Sequence, residues 1–142
     1  MRKDRILFSL ALVLIALAGL VLSYIWEPIS VSKRVIEADN PISGLEYDLQ
    51  IVFRNWSFAE IQLIGAHETC GLGGCVTVPG VPCRIPALSK KSVGITYEAR
   101  AIQETVEFER EVTIYTNSTI QPKIVFSIRG RVLPFLAMSE PE

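Results

Sequence analysis

The stretch LEYDLQIVFRN, Leu45 to Asn55, decides the fold. Leu45, Tyr47, Leu49, Ile51 and Phe53 fall on one face of an extended chain, and Glu46, Asp48, Gln50 and Arg54 fall on the other. Successive side chains of a strand point to opposite faces, so this alternation marks a half-buried antiparallel strand.

The same two-fold period recurs outward from it. EIQLIG places Ile61 and Leu63 inward, and SVGITYEA places Val93, Ile95 and Tyr97 on one side. TVEFEREVTIYTN alternates from Val106 to Tyr115; Arg110 interrupts its apolar face and predicts a bulge or a sheet edge. KIVFSIRGRV sets Ile124, Phe126, Ile128 and Val132 against Lys123, Ser127, Arg129 and Arg131. A weaker strand is expected near Ile29–Ile36. Asn40-Pro41, Ser43-Gly44, Asn55 and Asn117-Ser118 supply turn chemistry between these runs. Short strands punctuated in this way predict an all-β, Ig-like antiparallel β-sandwich of about seven strands over residues 27–136, with a flexible tail at 137–142.

A different pattern precedes the strands. Ile6 to Trp26 holds 21 residues without a charge, behind the basic flank MRKDR of residues 1–5. As a helix it would span about 30 Å, the thickness of a bilayer's hydrocarbon core. Arg2, Lys3 and Arg5 predict a cytoplasmic N-terminus, with the remainder exported to the periplasm or cell exterior. In this reading 6–26 is a single-pass transmembrane anchor: Ile6, Leu14 and Leu22 lie in lipid, and Tyr24 and Trp26 sit at the far interface. The competing reading is a signal peptide cut after Ala18, within the pattern Ala16-Leu17-Ala18. Glu27-Pro28 ends the helix.

The charge is nearly balanced, with 14 basic and 15 acidic side chains, and no basic stripe points to nucleic acid. The partners expected are the bilayer, through the helix, and a protein. Glu104, Glu107, Glu109 and Glu111 read as a solvated acidic face rather than as acid–base machinery. Asn55-Trp56-Ser57 and Asn117-Ser118-Thr119 match the glycosylation pattern but also sit where turn asparagines belong.

Between Gly65 and Ser92 the alternation fails, and glycines and prolines predict an ordered connection whose pairing is confined to an edge. Its segment HETCGLGGCVTVPGVPCR, His67 to Arg84, holds all three cysteines and the single histidine. In an exported, oxidising compartment thiols tend to pair. Cys70 can reach Cys75 across Gly71-Leu72-Gly73-Gly74, leaving Cys83 free, or it can pair with Cys83. The alternative is an envelope metal-binding or thiol-redox protein. His67, Cys70, Cys75 and Cys83 supply four ligands for zinc or copper(I), but their spacing matches no paired-knuckle pattern, and C-x4-C is not the reactive C-x-x-C.

The order of motifs resembles a known family. A strand ending in asparagine (VFRNWS) leads to a glycine-flanked Cys motif (IQLIGAHETCGLGGC). A Pro-rich step into a strand follows (VPCRIPALSKKSVGITY), then EVTIYTNST, then PKIVFSIRGRV. This is similar to the bacterial envelope Ig-like domains grouped as domain of unknown function 1573. The resemblance implies a seven- or eight-stranded sandwich, no catalytic residues and a bacterial envelope location; no cofactor is expected beyond the zinc or copper of the alternative. The expected function is that of a membrane-anchored, non-catalytic binding or structural module. The family's compact C-x-C corresponds here to Cys70 and Cys75 with Leu-Gly-Gly inserted, and Cys83 has no counterpart.

Overall fold

Asn55 and Gln121 show how the body is tied together. Asn55 ends β3 and is fully buried, and its amide nitrogen donates to the carbonyls of Ala59 at 2.8 Å and of Ile85 and Pro86 at 3.1 Å. Its Oδ1 accepts the Ser57 amide at 2.8 Å. Gln121 brackets Ile29, accepting its N–H at 2.9 Å and donating to its carbonyl at 3.0 Å. Each side chain joins segments far apart in the chain.

The computed structural model describes residues 2–135, with the side chains of the helix described from 8 to 22. Helix α1 is Arg2–Trp26. Ten strands follow among the described residues: β1 Ile29–Val31, β2 Val35–Ala38, β3 Glu46–Asn55, β4 Ile61–His67, β5 Thr69–Gly71, β6 Gly74–Thr77, β7 Cys83–Ile85, β8 Lys90–Ala99, β9 Val106–Thr116 and β10 Lys123–Val132. They form two five-stranded sheets, ordered β1-β3-β8-β6-β5 and β2-β10-β9-β4-β7.

The strands of long alternation form as expected, because their apolar faces meet across the sandwich. Phe53, Tyr97, Phe126, Ile114 and Ile128 are at most 2% exposed and lie in one continuous core. The Phe53 and Phe126 rings meet edge to face at 6.4 Å, joining the two sheets.

Four expectations are corrected. The sandwich has ten strands rather than about seven, because β1, β2, β5, β6 and β7 are only three or four residues long. It is not purely antiparallel: β2 runs parallel to β10, Val35 opposite Ser127 through Ala38 opposite Gly130. The Gly65–Ser92 connection contains β5, β6 and β7, and β6 lies inside its sheet rather than at an edge. Arg110 marks neither an edge nor a bulge, since β9 is interior and pairs in unbroken register with β10. The register shift lies instead in β4, between Leu63 and Gly65.

Among the described residues no helix is long and apolar enough to cross a membrane. The described side chains of α1 cover fifteen positions, 8 to 22, short of the about 20 that a span needs. Of the expected anchor residues, Leu14 is 63% and Leu22 57% exposed. The side chains of Ile6, Tyr24 and Trp26 lie outside the described ones, and so does the tail at 137–142.

Candidate functional site

The cysteine segment folds into a small hairpin. β5 and β6 pair antiparallel with Thr69 opposite Val76, Cys70 opposite Cys75 and Gly71 opposite Gly74. Cys70 and Cys75 are joined as a disulfide, with their Cα atoms 4.1 Å apart. The turn, Leu72-Gly73, needs glycine at its second position, where φ is +95°. Closing so short a loop removes freedom from the unfolded chain worth about 2 kcal/mol in the loop-entropy treatment. The double variant Cys70→Ser, Cys75→Ser is expected to lose about that much in a urea titration.

The hairpin is seated on two aromatic rings and an arginine. Tyr97 of β8 and Phe108 of β9 stack at 4.5 Å with planes 6° apart, bridging the sheets. The Tyr97 hydroxyl donates to the Gly73 carbonyl at 2.7 Å, and Arg100 N–H donates to the same oxygen at 2.9 Å. Arg110 reaches under the turn, where one guanidinium nitrogen donates to the Leu72 carbonyl and another to its neighbour Glu109 at 2.9 Å. Its Nε is buried without a partner. The arginine in the apolar stripe of β9 is therefore tied to the hairpin through the Leu72 carbonyl.

Burial pushes the Tyr97 phenol up to about 12, with Arg110 pulling modestly the other way. An unfolded tyrosine ionises near pH 10, so the contribution of neutral Tyr97 is complete below about pH 10 and is lost as pH rises toward 12. Tyr97→Phe is expected to flatten that part of the alkaline stability profile, checked by comparing denaturation midpoints of the two proteins at pH 9 to 12.

The other predicted site residues are dispersed. His67 is exposed at the end of β4. Cys83 is a free, half-buried thiol on β7, opposite Leu63 in the other sheet from the hairpin. Burial pushes its thiol up, and Lys91 opposes this. The proposed zinc or copper ligands do not come together, and among the described residues no group of three or more His, Cys, Asp or Glu could hold a metal ion. Cys70 and Cys75 are consumed by their own bond. Asn55 and Asn117 both serve the fold; Asn117 Oδ1 accepts the Gln62 N–H at 2.8 Å.

Two surface features escaped the sequence reading. The glutamates of β9 face arginines of β10: Glu107 is opposite Arg131 and Glu109 opposite Arg129. Arg131 pairs with Glu107 at 2.9 Å and Arg129 with Glu37 of β2 at 2.6 Å, and both pairs line an open groove of about 670 Å³ with Phe108 and Gly130. Arg129 holds the Glu37 carboxyl below its usual range through a hydrogen bond and its charge. Only the strand register could have revealed these pairs. The second feature is an open flank of β3. β1 pairs only with Phe53 to Asn55, so among the described residues no strand lies beside Glu46 to Ile51 on that side. Leu45 is 45% exposed there, and Tyr47 and Leu49 are half-buried.

These features define the class as an Ig-like β-sandwich of two sheets. No protein-family model matches the chain, and no curated protein matches it. Among solved structures it is similar to the ASH / PapD-like domain 7 of human CEP192, with a TM-score of 0.57, 10% identity, and 78% of this chain and 88% of that one covered. It is also similar to the E. coli chaperone DraB, with a TM-score of 0.50, 10% identity, and 75% of this chain and 55% of that one. A third likeness is to the Vibrio cholerae VesB protease, with a TM-score of 0.52, 10% identity, and 75% of this chain but only 32% of that one. At such identities the likeness is one of fold.

Proposed function

We propose that this chain is a membrane-anchored, non-catalytic Ig-like binding module of a bacterial envelope, and that it takes an extended segment of a protein partner along β3. The observation that carries the reading is the open flank of β3 from Glu46 to Ile51. An added strand there gains main-chain hydrogen bonds, and its alternate side chains can cover Leu45, Tyr47 and Leu49. Kinship with the envelope Ig-like domains is part of the same proposal and rests on motif order.

Anchoring by α1 is supported by its surface. Every described side chain from 8 to 22 is exposed, and among the described residues the core is drawn from the β-sandwich alone. A helix that is apolar all round needs an apolar phase from outside the domain. The Cys70–Cys75 bond suits an oxidising compartment beyond that membrane.

Site-specific photocrosslinking in membranes tests the binding surface. A photoreactive residue at Asp48 or Gln50, both exposed on β3, is expected to give a discrete protein adduct, while the same residue at Glu111 on the other sheet gives none. Equal labelling from both sheets, or none from β3, rejects the strand-addition reading. Alkaline carbonate washing of the membranes tests the anchor, with the chain expected to stay in the pellet.

A further inference from the structure

The strand register places three loops at one end of the sandwich, the end at which α1 joins it. Ile29 is opposite Asn55, Arg54 is opposite Lys90, and Lys123 is opposite Tyr115. The β3–β4, β7–β8 and β9–β10 loops therefore share this end. Their tips are apolar: Phe58 is 80% exposed, Leu88 57%, Ile120 56% and Trp56 43%. Leu88 holds φ at +52°, a region costly for a leucine, yet more than half of its side chain stays exposed.

The tips are held firmly. Leu88 N–H donates to the Ser57 carbonyl at 3.0 Å, Trp56 N–H to the Pro28 carbonyl at 2.8 Å, and Trp56 Nε1 to Ser30 Oγ at 2.9 Å. The charge here is basic. Glu27 and Glu60 are matched by Arg34 and Arg84 in ion pairs of 3.4 and 3.6 Å. Arg54, Lys90, Lys91 and Lys123 form no ion pair among the described residues. Arg54 and Lys90 stand directly opposite one another on neighbouring strands, a like-charge placement that costs stability. The opposite end holds Asp39, Glu46, Glu68, Glu98 and Glu104 against Arg100. The sandwich is thus polarised along its length, basic and apolar-tipped at one pole and acidic at the other.

We propose that the basic pole docks on an anionic lipid bilayer, with Trp56, Phe58, Leu88 and Ile120 entering the interface and Arg54, Lys90, Lys91 and Lys123 meeting headgroup phosphates. Amphipathic rings and aliphatic tips favour that layer, and juxtamembrane cations are drawn to anionic lipid. The proposal rests on the reading of α1 as the anchor. Only Glu27 and Pro28 separate Trp26 from Ile29, a reach of about 10 Å, so an inserted α1 leaves this pole little room to stand off the surface.

The chain contains two tryptophans, Trp26 and Trp56, which makes the test direct. Full-length Trp26→Phe, reconstituted in phosphatidylglycerol-containing vesicles whose acyl chains are brominated, reports on Trp56 alone. Its emission is expected to fall by about half relative to unbrominated vesicles, as for an interfacial ring. Adding Phe58→Ser and Leu88→Asn is expected to restore that emission; asparagine tolerates the backbone of position 88. The Trp56→Phe protein reports on Trp26 and so on the anchor. Quenched Trp26 with unquenched Trp56 overturns the docking and leaves the anchor standing. Both unquenched overturns the anchor and the docking with it. Trp56 blue-shifted yet unquenched assigns the pole to a second copy of the chain, and equal quenching in purely zwitterionic vesicles overturns the requirement for anionic lipid.

Discussion

Asn55→Ala is expected to lower stability by about 4 kcal/mol, near the upper end for a single substitution. The residue is fully buried, and its side chain satisfies three carbonyls, those of Ala59, Ile85 and Pro86, together with the Ser57 amide. Alanine removes the donor to the buried Ile85 carbonyl and the acceptor of the buried Ser57 amide, so their desolvation cost is no longer offset, while the Ala59 and Pro86 carbonyls fall back on the Ser57 and Ser89 hydroxyls. Asn55→Asp keeps the shape but turns carboxylate oxygens toward three carbonyl oxygens, and is expected to be at least as damaging near neutral pH. Urea denaturation of both variants in mild detergent is the measurement. A loss below about 1 kcal/mol would mean that the asparagine does not hold the β3–β4 and β7–β8 connections together. The same burial means that a glycan could not be attached at Asn55 without opening this end of the fold.

Gly74→Ala is expected to be comparably severe, about 4 kcal/mol, for a steric reason. At this position φ is +153°, and a Cβ would lie 2.1 Å from the Glu98 carbonyl oxygen and 3.0 Å from the Tyr97 ring and hydroxyl. Those atoms belong to β8, the strand to which β6 pairs, so the clash can be relieved only by lifting the hairpin off the sheet. Hydrogen exchange should then show loss of protection in β6 and at Arg100, whose N–H donates to Gly73. Gly94→Ala on the same β8 is the control: a Cβ there meets nothing within 4 Å, and the change should be near neutral. If Gly74→Ala also proves neutral, the hairpin does not rest on Tyr97 as described.

Leu45–Asn55 was legible because ten consecutive residues of β3 give five turns of a two-residue period, and each inward position before the closing Asn55 is apolar. The same period runs through β8, β9 and β10, interrupted in β9 by Arg110. β5, β6 and β7 were not legible, because three or four residues rich in glycine and proline carry no period to detect. β2 is equally short, and its parallel pairing depends on β10, some 90 residues away. The disulfide could be read from spacing, as one of two possible bridges, and the structure selects Cys70–Cys75. Arg110 was misread because local sequence shows only that a cation interrupts an apolar stripe. What satisfies it, the Leu72 carbonyl, comes from the other sheet. The polarity of the sandwich was invisible for a similar reason: Arg54, Lys90 and Lys123 come to one end only through strand register.

The parallel pairing of β2 with β10 bears on how the domain carries load. The chain enters the sandwich at β1 and crosses to the second sheet between Val31 and Val35, while β10 leads out past Val132 at the far pole. A tug between the helix and the chain beyond β10 would draw these two parallel strands past each other lengthwise. The hydrogen bonds spanning Val35–Ala38 and Ser127–Gly130 would then have to yield together rather than one after another. Such a clasp is stronger under tension than an antiparallel pair peeled from its end.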